Sequence, residues 1–394
     1  MKRLLVIIPD RITEILEKGE FQPCYYNPGE VFDEVHILMT NDDKPPPQAV
    51  QPTVGRAKLV LHNYPDDLSL VGRHNALLTP LRLRRWAKGG VEIARRIAPD
   101  MIRCHGADWN AYLAARINAE LGIPYVVSLH INPDENPVRR FKGPNLSSDQ
   151  RRTNAFYEYL EKESLRRARL VLPVYKPILP YLARLGVTRV EVCYNILDGG
   201  NLRQKTNYAL SDPPHLLYVG RLFDLKNPSN ILRALVDLPG VHYTIVGDGP
   251  LRPEMETLAR DLGIADRVSF RPAVANAELC RMLSNFDLFV IHTEHYEISK
   301  SLLEALLSGL PSVINIRKGA PVPELQSDIV RLVPNSVEGY RDAIRTLLSD
   351  DTARQALGRR AFEEAQARYG PSVTERKVTD IYRSILEERL DRQS

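Results

Sequence analysis

The sequence predicts an α/β protein built from two doubly wound parallel-sheet domains in tandem. Three observations predict it. Short apolar runs of strand length alternate with helix-like patterns in both halves, the order that builds a parallel sheet covered on both faces. A polar stretch without periodicity, NILDGGNLRQKTNYALSDPP at 195–214, separates the two sets. The 394 residues also exceed what one core usually holds, ~250 to 300 residues.

In the first half the runs LLVII (4–8), EVHIL (34–38), AKLVLH (57–62), MIRCH (101–105), PYVVSLH (124–130) and RLVLPV (169–174) read as buried strands. Helix patterns lie between several of them, for instance at 91–97 and at 110–121, the second closed by Gly122. In the second half the strands are HLLYVG (215–220), HYTIVG (242–247), RVSFR (267–271), DLFVIH (287–292), PSVIN (311–315) and DIVRLV (328–333). The domains are drawn at 1–198 and 199–370. The tail 371–394, amphipathic from Pro371 to Leu390, is expected to rejoin the first domain. Two such sheets facing each other place a ligand cleft at their carboxyl edges.

Composition narrows the chemistry. Cys24, Cys104, Cys193 and Cys280 lie far apart, with no pair at metal-ligand or redox spacing, which suits a reducing cytoplasm. The apolar run near the start is too short for a signal peptide and reads as a first strand. No stretch approaches the ~18 apolar residues of a membrane span, so any membrane contact is expected to be peripheral.

The net charge is only +4, but the cations concentrate between residues 51 and 200. Two clusters stand out, RLRRWAKGG (82–90) and PVRRFKG (137–143). A solvated helix face and a solvated loop explain them. The sharper reading is a basic surface for an anionic lipid headgroup or a phosphate-bearing acceptor, with Trp86, Leu81 and Leu83 at the interface. No nucleic-acid module accompanies the charge.

In the second half, YVGRLFDLKN ends a strand at Gly220 and places Arg221 and Lys226 in the following loop. Two cations at the carboxyl end of a first strand suit a diphosphate, Arg through its fork and Lys as a point charge. IVGDGPLRPEM repeats the pattern, with Gly247 and Gly249 expected to let the backbone approach a ligand. As a glycine-loop signal it is weak.

TEHYEISKSLLEALLSGLPSV (293–313) carries the richest pattern. Ser299 is a helix cap, and the N–H groups near Ser299, Lys300 and Ser301 offer an anion site. Leu302, Leu303, Leu306 and Leu307 form a core stripe, while Ser301, Glu304 and Ser308 form a second stripe with room for a ligand. Glu304 is placed to accept from vicinal ribose hydroxyls, and Glu297 to lie near a sugar. A pair of solvated glutamates would account for Glu297 but not for Glu304, whose neighbours are nearly all small or apolar.

These motifs resemble the retaining glycosyltransferases of family four, the group 1 enzymes with the GT-B fold of two Rossmann-like domains across a cleft. The resemblance covers LLYVGRLFDLKN, YTIVGDGPLRPEMETLARDLGIADRVSF, FDLFVIHTEHYEISKSLLEALLSGLPSVI and the tail through VTDIYRSIL. Fainter echoes are GIPYVVSLH, ESLRRARLVLPV and NILD.

The resemblance implies that Arg221 and Lys226 hold a donor diphosphate, that Glu304 binds ribose, and that His130 lies by the reacting sugar and phosphate. His105 is a weaker candidate, with a structural histidine equally possible. The spacing from Glu297 to Glu304 is one residue shorter than the family's, so either Glu297 or Tyr296 occupies the first-glutamate place, or catalysis is altered. The family's glycine-rich loop is missing after the first strand; Lys18 and Gly19 stand in its region as acceptor-side candidates.

The function expected is retaining transfer of a sugar from a nucleotide-diphosphate-sugar donor to a glycan, lipid-linked or small-molecule acceptor. No Asp-x-Asp motif occurs in the chain, so neither a metal nor another cofactor is expected. Arg221, Lys226 and the helix start would compensate the leaving-group charge. The alternatives are a non-catalytic GT-B nucleotide-sugar-binding protein and a nucleotide-sugar epimerase. Expected localisation is cytoplasmic, with peripheral contact at the inner face of a membrane through the basic domain.

Overall fold

The structure is a computed structural model and describes residues 1–17, 22–65, 79–135, 140–318, 321–325 and 328–391. It divides into two compact units, residues 1–196 with 374–394 and residues 197–373. The sequence boundaries at 198 and 370 fall within a few residues of these. Among the described residues no helix is long and apolar enough to cross a membrane.

The first unit holds β1 (Arg3–Ile8), β2 (Glu34–Met39), β3 (Lys58–Asn63), β4 (Met101–His105), β5 (Tyr125–Leu129) and β6 (Leu170–Pro173). They form one sheet in the order β3-β2-β1-β4-β5-β6, every pair parallel. Successive strand side chains point to opposite faces. Leu4, Val6 and Ile8 therefore enter one core, and Leu5 and Ile7 the other.

The helix Pro371–Asp391 belongs to this unit from residue 374 on. Its Val378, Ile381, Tyr382, Ile385 and Leu386 recur at helical spacing and are buried in the core that also holds Phe32. Each such side chain contributes roughly 1.5 to 3 kcal/mol when fully buried. The Arg169 guanidinium pairs with Glu388, and Arg389 donates to the Pro99 carbonyl at 3.0 Å, fixing the helix end.

The helix Thr79–Ile97 starts well before the expected 91–97. Leu83, Ala87, Val91 and Ala94 are buried along one side of it, while Arg82, Arg84, Arg85 and Lys88 are exposed. The expectation of Leu83 at an interface is therefore corrected: it falls in register with the core face. Trp86 is also tied inward, its ring 5.4 Å from Tyr64 and its Nε1 donating to Pro65 O at 3.3 Å. Leu81 alone of the three is exposed.

The second basic cluster lies partly outside the described residues. Arg140 pairs with the buried carboxylate of Glu161 and with Asp134 at 3.1 Å, and Lys142 reaches Glu135 at 3.3 Å. These cations are committed to local ion pairs, which a reading of charge along the chain does not reveal.

The second unit repeats the plan with β7 (His215–Val219), β8 (His242–Val246), β9 (Val268–Arg271), β10 (Leu288–Ile291), β11 (Ser312–Asn315) and β12 (Arg331–Val333). The order is β12-β11-β10-β7-β8-β9, again parallel throughout. Strand order reverses between β7 and β10, so the loops leaving these two strands part in opposite directions and frame a crevice. Every strand expected from the sequence is present.

Candidate functional site in the second domain

β7 and β8 deliver two loops that interlock. Gly220 N–H donates to Val246 O at 3.0 Å, Leu222 N–H to Asp248 O at 2.9 Å, and Leu251 N–H to Leu222 O at 3.2 Å. Gly247 and Gly249 have φ of +142° and +156°, and a Cβ on either would lie 2.1 Å from the carbonyl oxygen of Gly220 or Leu222. Their glycine identity is thus required by one backbone crossing the other. This internal reason for glycine is independent of any ligand that the backbone there approaches.

Lys226 is half-buried, and the Tyr218 hydroxyl donates to its carbonyl at 3.0 Å. Burial pushes the Lys226 ammonium pKa down, and the carboxylate of Glu297 pulls it back up. The structure thus brings these two sequence candidates together. Arg221, in the same loop, is exposed.

The segment after β10 that carries Glu297 is held from three sides. Thr293 N–H donates to Asn315 Oδ1 at 2.8 Å, and Asn315 Nδ2 donates to Thr293 O at 3.0 Å. Glu294 N–H donates to Leu225 O at 2.8 Å, tying the segment to the Lys226 loop. The Tyr296 ring lies 4.5 Å beneath the Arg317 guanidinium, whose Nε donates to Glu294 O at 2.9 Å. Of the two residues competing for one place, Glu297 is the one beside Lys226, and Tyr296 is clamped by Arg317.

The helix Lys300–Leu307 begins as expected, with Ser299 Oγ accepting from Leu302 N–H at 3.3 Å. Ser301 Oγ donates to Val219 O at 3.1 Å, which pins the helix start to the end of β7 beside Gly220. The first N–H groups of this helix, at Lys300 and Ser301, precede the first intrahelical bond and carry the positive end of its dipole. One turn on, Glu304 is only 2% exposed. Its Oε1 accepts from Asn276 Nδ2 at 2.7 Å, with Lys300 Nζ at 3.9 Å.

Asn276 and Asn315 escaped the sequence reading. Asn276 opens the helix Asn276–Met282, and Asn315 ends β11. Both positions sit at element ends, where polar side chains are common, so neither carries a distinguishing local signal.

In the first unit, His105 ends β4 and His130 follows β5. Their rings stack at 5.3 Å and 8°, so both occupy the carboxyl edge of that sheet. Burial pushes the His130 pKa down to about 4, and that of His105 well below the ordinary value, Arg103 adding to both. Both rings are therefore neutral near pH 7. Lys18 and Gly19 lie outside the described residues.

The family description "Glycosyl transferases group 1" matches residues 202–364, and "Glycosyl transferase 4-like domain" matches residues 31–195. Alpha-D-kanosaminyltransferase of Streptomyces kanamyceticus is 24% identical over 332 residues, covering 76% of this chain and 83% of that protein. D-inositol 3-phosphate glycosyltransferase of Mycobacterium marinum is 31% identical over 214 residues, covering 52% of this chain and 46% of that one. Among solved structures, Anabaena HepE in complex with UDP is similar at a TM-score of 0.72 and 16% identity, covering 98% of this chain and 100% of that one. At that identity the likeness speaks for the fold, and both halves of the two-domain GT-B plan are matched. With both halves matched by family models and enzymes of the same class among its relatives, the chain belongs to the group 1 glycosyltransferases and is a glycosyltransferase enzyme.

Proposed function

We propose that this enzyme moves a sugar, with retention of anomeric configuration, from a nucleotide-diphosphate sugar to a hydroxyl-bearing acceptor, without a metal ion. The observation that carries the reading is the Lys226 loop, the Glu297 segment and the start of the Lys300 helix converging at the β7/β10 strand-order reversal.

Arg221, Lys226 and the N–H groups of the Lys300 helix hold the diphosphate and stabilise the charge that grows on it as the glycosidic bond breaks. Glu304, steadied by Asn276, accepts from the ribose hydroxyls. Glu297 sets its negative charge beside Lys226 and near the sugar, where positive charge develops. His130 serves the reacting sugar from the first domain.

The acceptor is a glycan, a lipid-linked sugar or a small molecule. The exposed Arg82, Arg84, Arg85 and Lys88 support a peripheral contact with an anionic surface, to which the buried Leu83 adds nothing. Sedimentation showing equal binding to neutral and anionic vesicles would remove that contact.

Product analysis by proton NMR of the anomeric coupling, with and without EDTA, tests the reaction. UDP sugars head the donor panel, since UDP and UDP-glucose are bound in Anabaena HepE structures of like fold. An inverted product would sink retention. Turnover abolished by EDTA and restored by manganese would sink metal independence.

A further inference from the structure

The chemistry of His130 depends on which ring nitrogen carries its proton, and one neighbour decides that. The segment from Arg189 to Cys193 lies beside β6 and runs parallel to it: Val171 N–H donates to Arg189 O, Glu191 N–H to Val171 O, and Cys193 N–H to Pro173 O, at 2.9 to 3.0 Å. This pairing carries Asn195 to the same sheet edge that β5 gives His130. Val174 N–H donates to Leu129 O at 3.1 Å, and the Tyr175 hydroxyl donates to His130 O at 2.8 Å, so β6 braces the histidine as well.

There the His130 Nδ1 lies 3.1 Å from Asn195 Oδ1. A carboxamide oxygen only accepts, so the proton of a neutral ring must sit on Nδ1. The other nitrogen, Nε2, is buried without a hydrogen-bond partner in the structure.

We propose that Asn195 is a positioning residue that holds His130 as the neutral Nδ1–H tautomer, so that Nε2 can act solely as a hydrogen-bond acceptor. The catalytic consequence rests on the transferase reading above; the tautomer does not. An acceptor nitrogen pairs with a hydroxyl group, which has a proton to give. It repels the oxygens of an ionised diphosphate, which have only lone pairs. His130 is thereby assigned to a sugar hydroxyl and away from the leaving group.

The surroundings favour a neutral ring. His130 lines a cavity of about 20 Å³ together with Arg103, Ser128, Cys193 and Asn195. Tyr25 and Tyr194 also line it, Val378 is what the C-terminal helix presents, and among the described residues no carboxylate lines it. The Arg103 guanidinium opposes a second positive charge, and His105, stacked on His130, is itself held neutral. The Cys193 thiol, pushed up to about 12 by burial, supplies no negative charge near pH 7.

Long-range proton–nitrogen NMR of the full chain, labelled with nitrogen-15 in histidine, reads the tautomer without substrate. The His130→Gln variant identifies the resonances. A protonated Nδ1 with a bare Nε2 at pH 7 is expected, and Asn195→Ala should release the ring to a mixture or to the Nε2–H form.

In turnover, Asn195→Ala should lower kcat by roughly 10- to 100-fold, the scale on which partners that orient a histidine ring act at other sites, while KM for the donor holds. Asn195→Asp should move the acid limb of the kcat profile up by roughly 1 to 3 pH units, as a carboxylate beside an imidazole favours its charged form. A wild-type ring protonated on Nε2, or a tautomer unchanged in Asn195→Ala, would overturn the proposal. Because the ring is read without substrate, a fruitless search for turnover counts against the transferase reading alone.

Discussion

Asn315 clasps Thr293 by both backbone groups, accepting from its N–H at 2.8 Å and donating to its carbonyl at 3.0 Å. Both residues are buried, 4% and 5% exposed, so water cannot replace the lost partner. Asn315→Leu should cost about 2 to 6 kcal/mol, since it unpairs two buried groups and each costs about 1 to 3. The segment bearing Glu297 should loosen with it. Chemical denaturation gives the first quantity, and kcat falling further than the donor affinity gives the second.

Burial pushes the Lys226 pKa down, and the Glu297 carboxylate opposes that shift. Lys226→Met removes the charge with little change of shape, so the melting temperature should stay within a few degrees. Turnover should drop roughly 100-fold or more, the scale of losing one preorganised charge at a leaving group. Glu297→Gln should slow turnover while sparing nucleotide affinity. Steady-state kinetics on both variants decide this, and unaltered kcat/KM in Lys226→Met would remove it from the site.

Buried Glu304 is hydrogen-bonded to half-buried Asn276. Glu304→Ala should abolish nucleotide binding. Asn276→Ala should weaken it by roughly tenfold, about 1.4 kcal/mol, because the carboxylate stays but loses the donor that orients it. Isothermal calorimetry with nucleoside diphosphates measures both, and the order of the two losses is the informative result.

The neutral His130 makes stability depend on pH in a definite direction. Its folded pKa lies near 4, below the ~6.5 of a solvated histidine. Between those values the unfolded chain binds more protons than the folded one, so stability falls as pH is lowered through that window. His105 acts in the same direction. Denaturation of His130→Gln from pH 7 to pH 4 should show a shallower fall than wild type.

Arg354 is almost fully buried beneath the linker, donating to Tyr208 O at 2.8 and 3.0 Å and to Leu347 O at 2.8 Å. Arg354→Met should destabilise the second domain by about 2 to 6 kcal/mol, since the carbonyls of Tyr208 and Leu347 lose their donor and each unpaired buried group costs about 1 to 3. A calorimetric scan reads the loss.

The sequence made legible what is local. Each strand announced itself as a run of apolar residues, and Ser299 and Gly122 marked helix ends from their immediate neighbours. Lys226, Glu297 and Glu304 stood out as candidates because their residue types at strand and helix ends narrow the chemistry.

What stayed hidden depends on partners distant along the chain. Asn315 chooses Thr293, and Asn276 chooses Glu304, through packing that one sequence does not encode in any short pattern. Gly247 and Gly249 were recognised as special, yet the reason, a carbonyl oxygen from the neighbouring strand's loop, appears only when both loops are in place. Leu83 was misassigned because a single leucine among arginines reads as amphipathic surface until the helical register with Ala87 and Val91 is fixed.

Thermal stability measured against UDP, GDP, ADP and their sugar conjugates decides whether the site around Glu304 and Arg221 grips a nucleotide. A ligand at 100 times its Kd stabilises the folded protein by about 2.7 kcal/mol. One nucleotide should raise the melting temperature of the wild type and fail to do so in Glu304→Ala and in Arg221→Ala. A shift retained in both variants, or no shift with any nucleotide, would contradict the account.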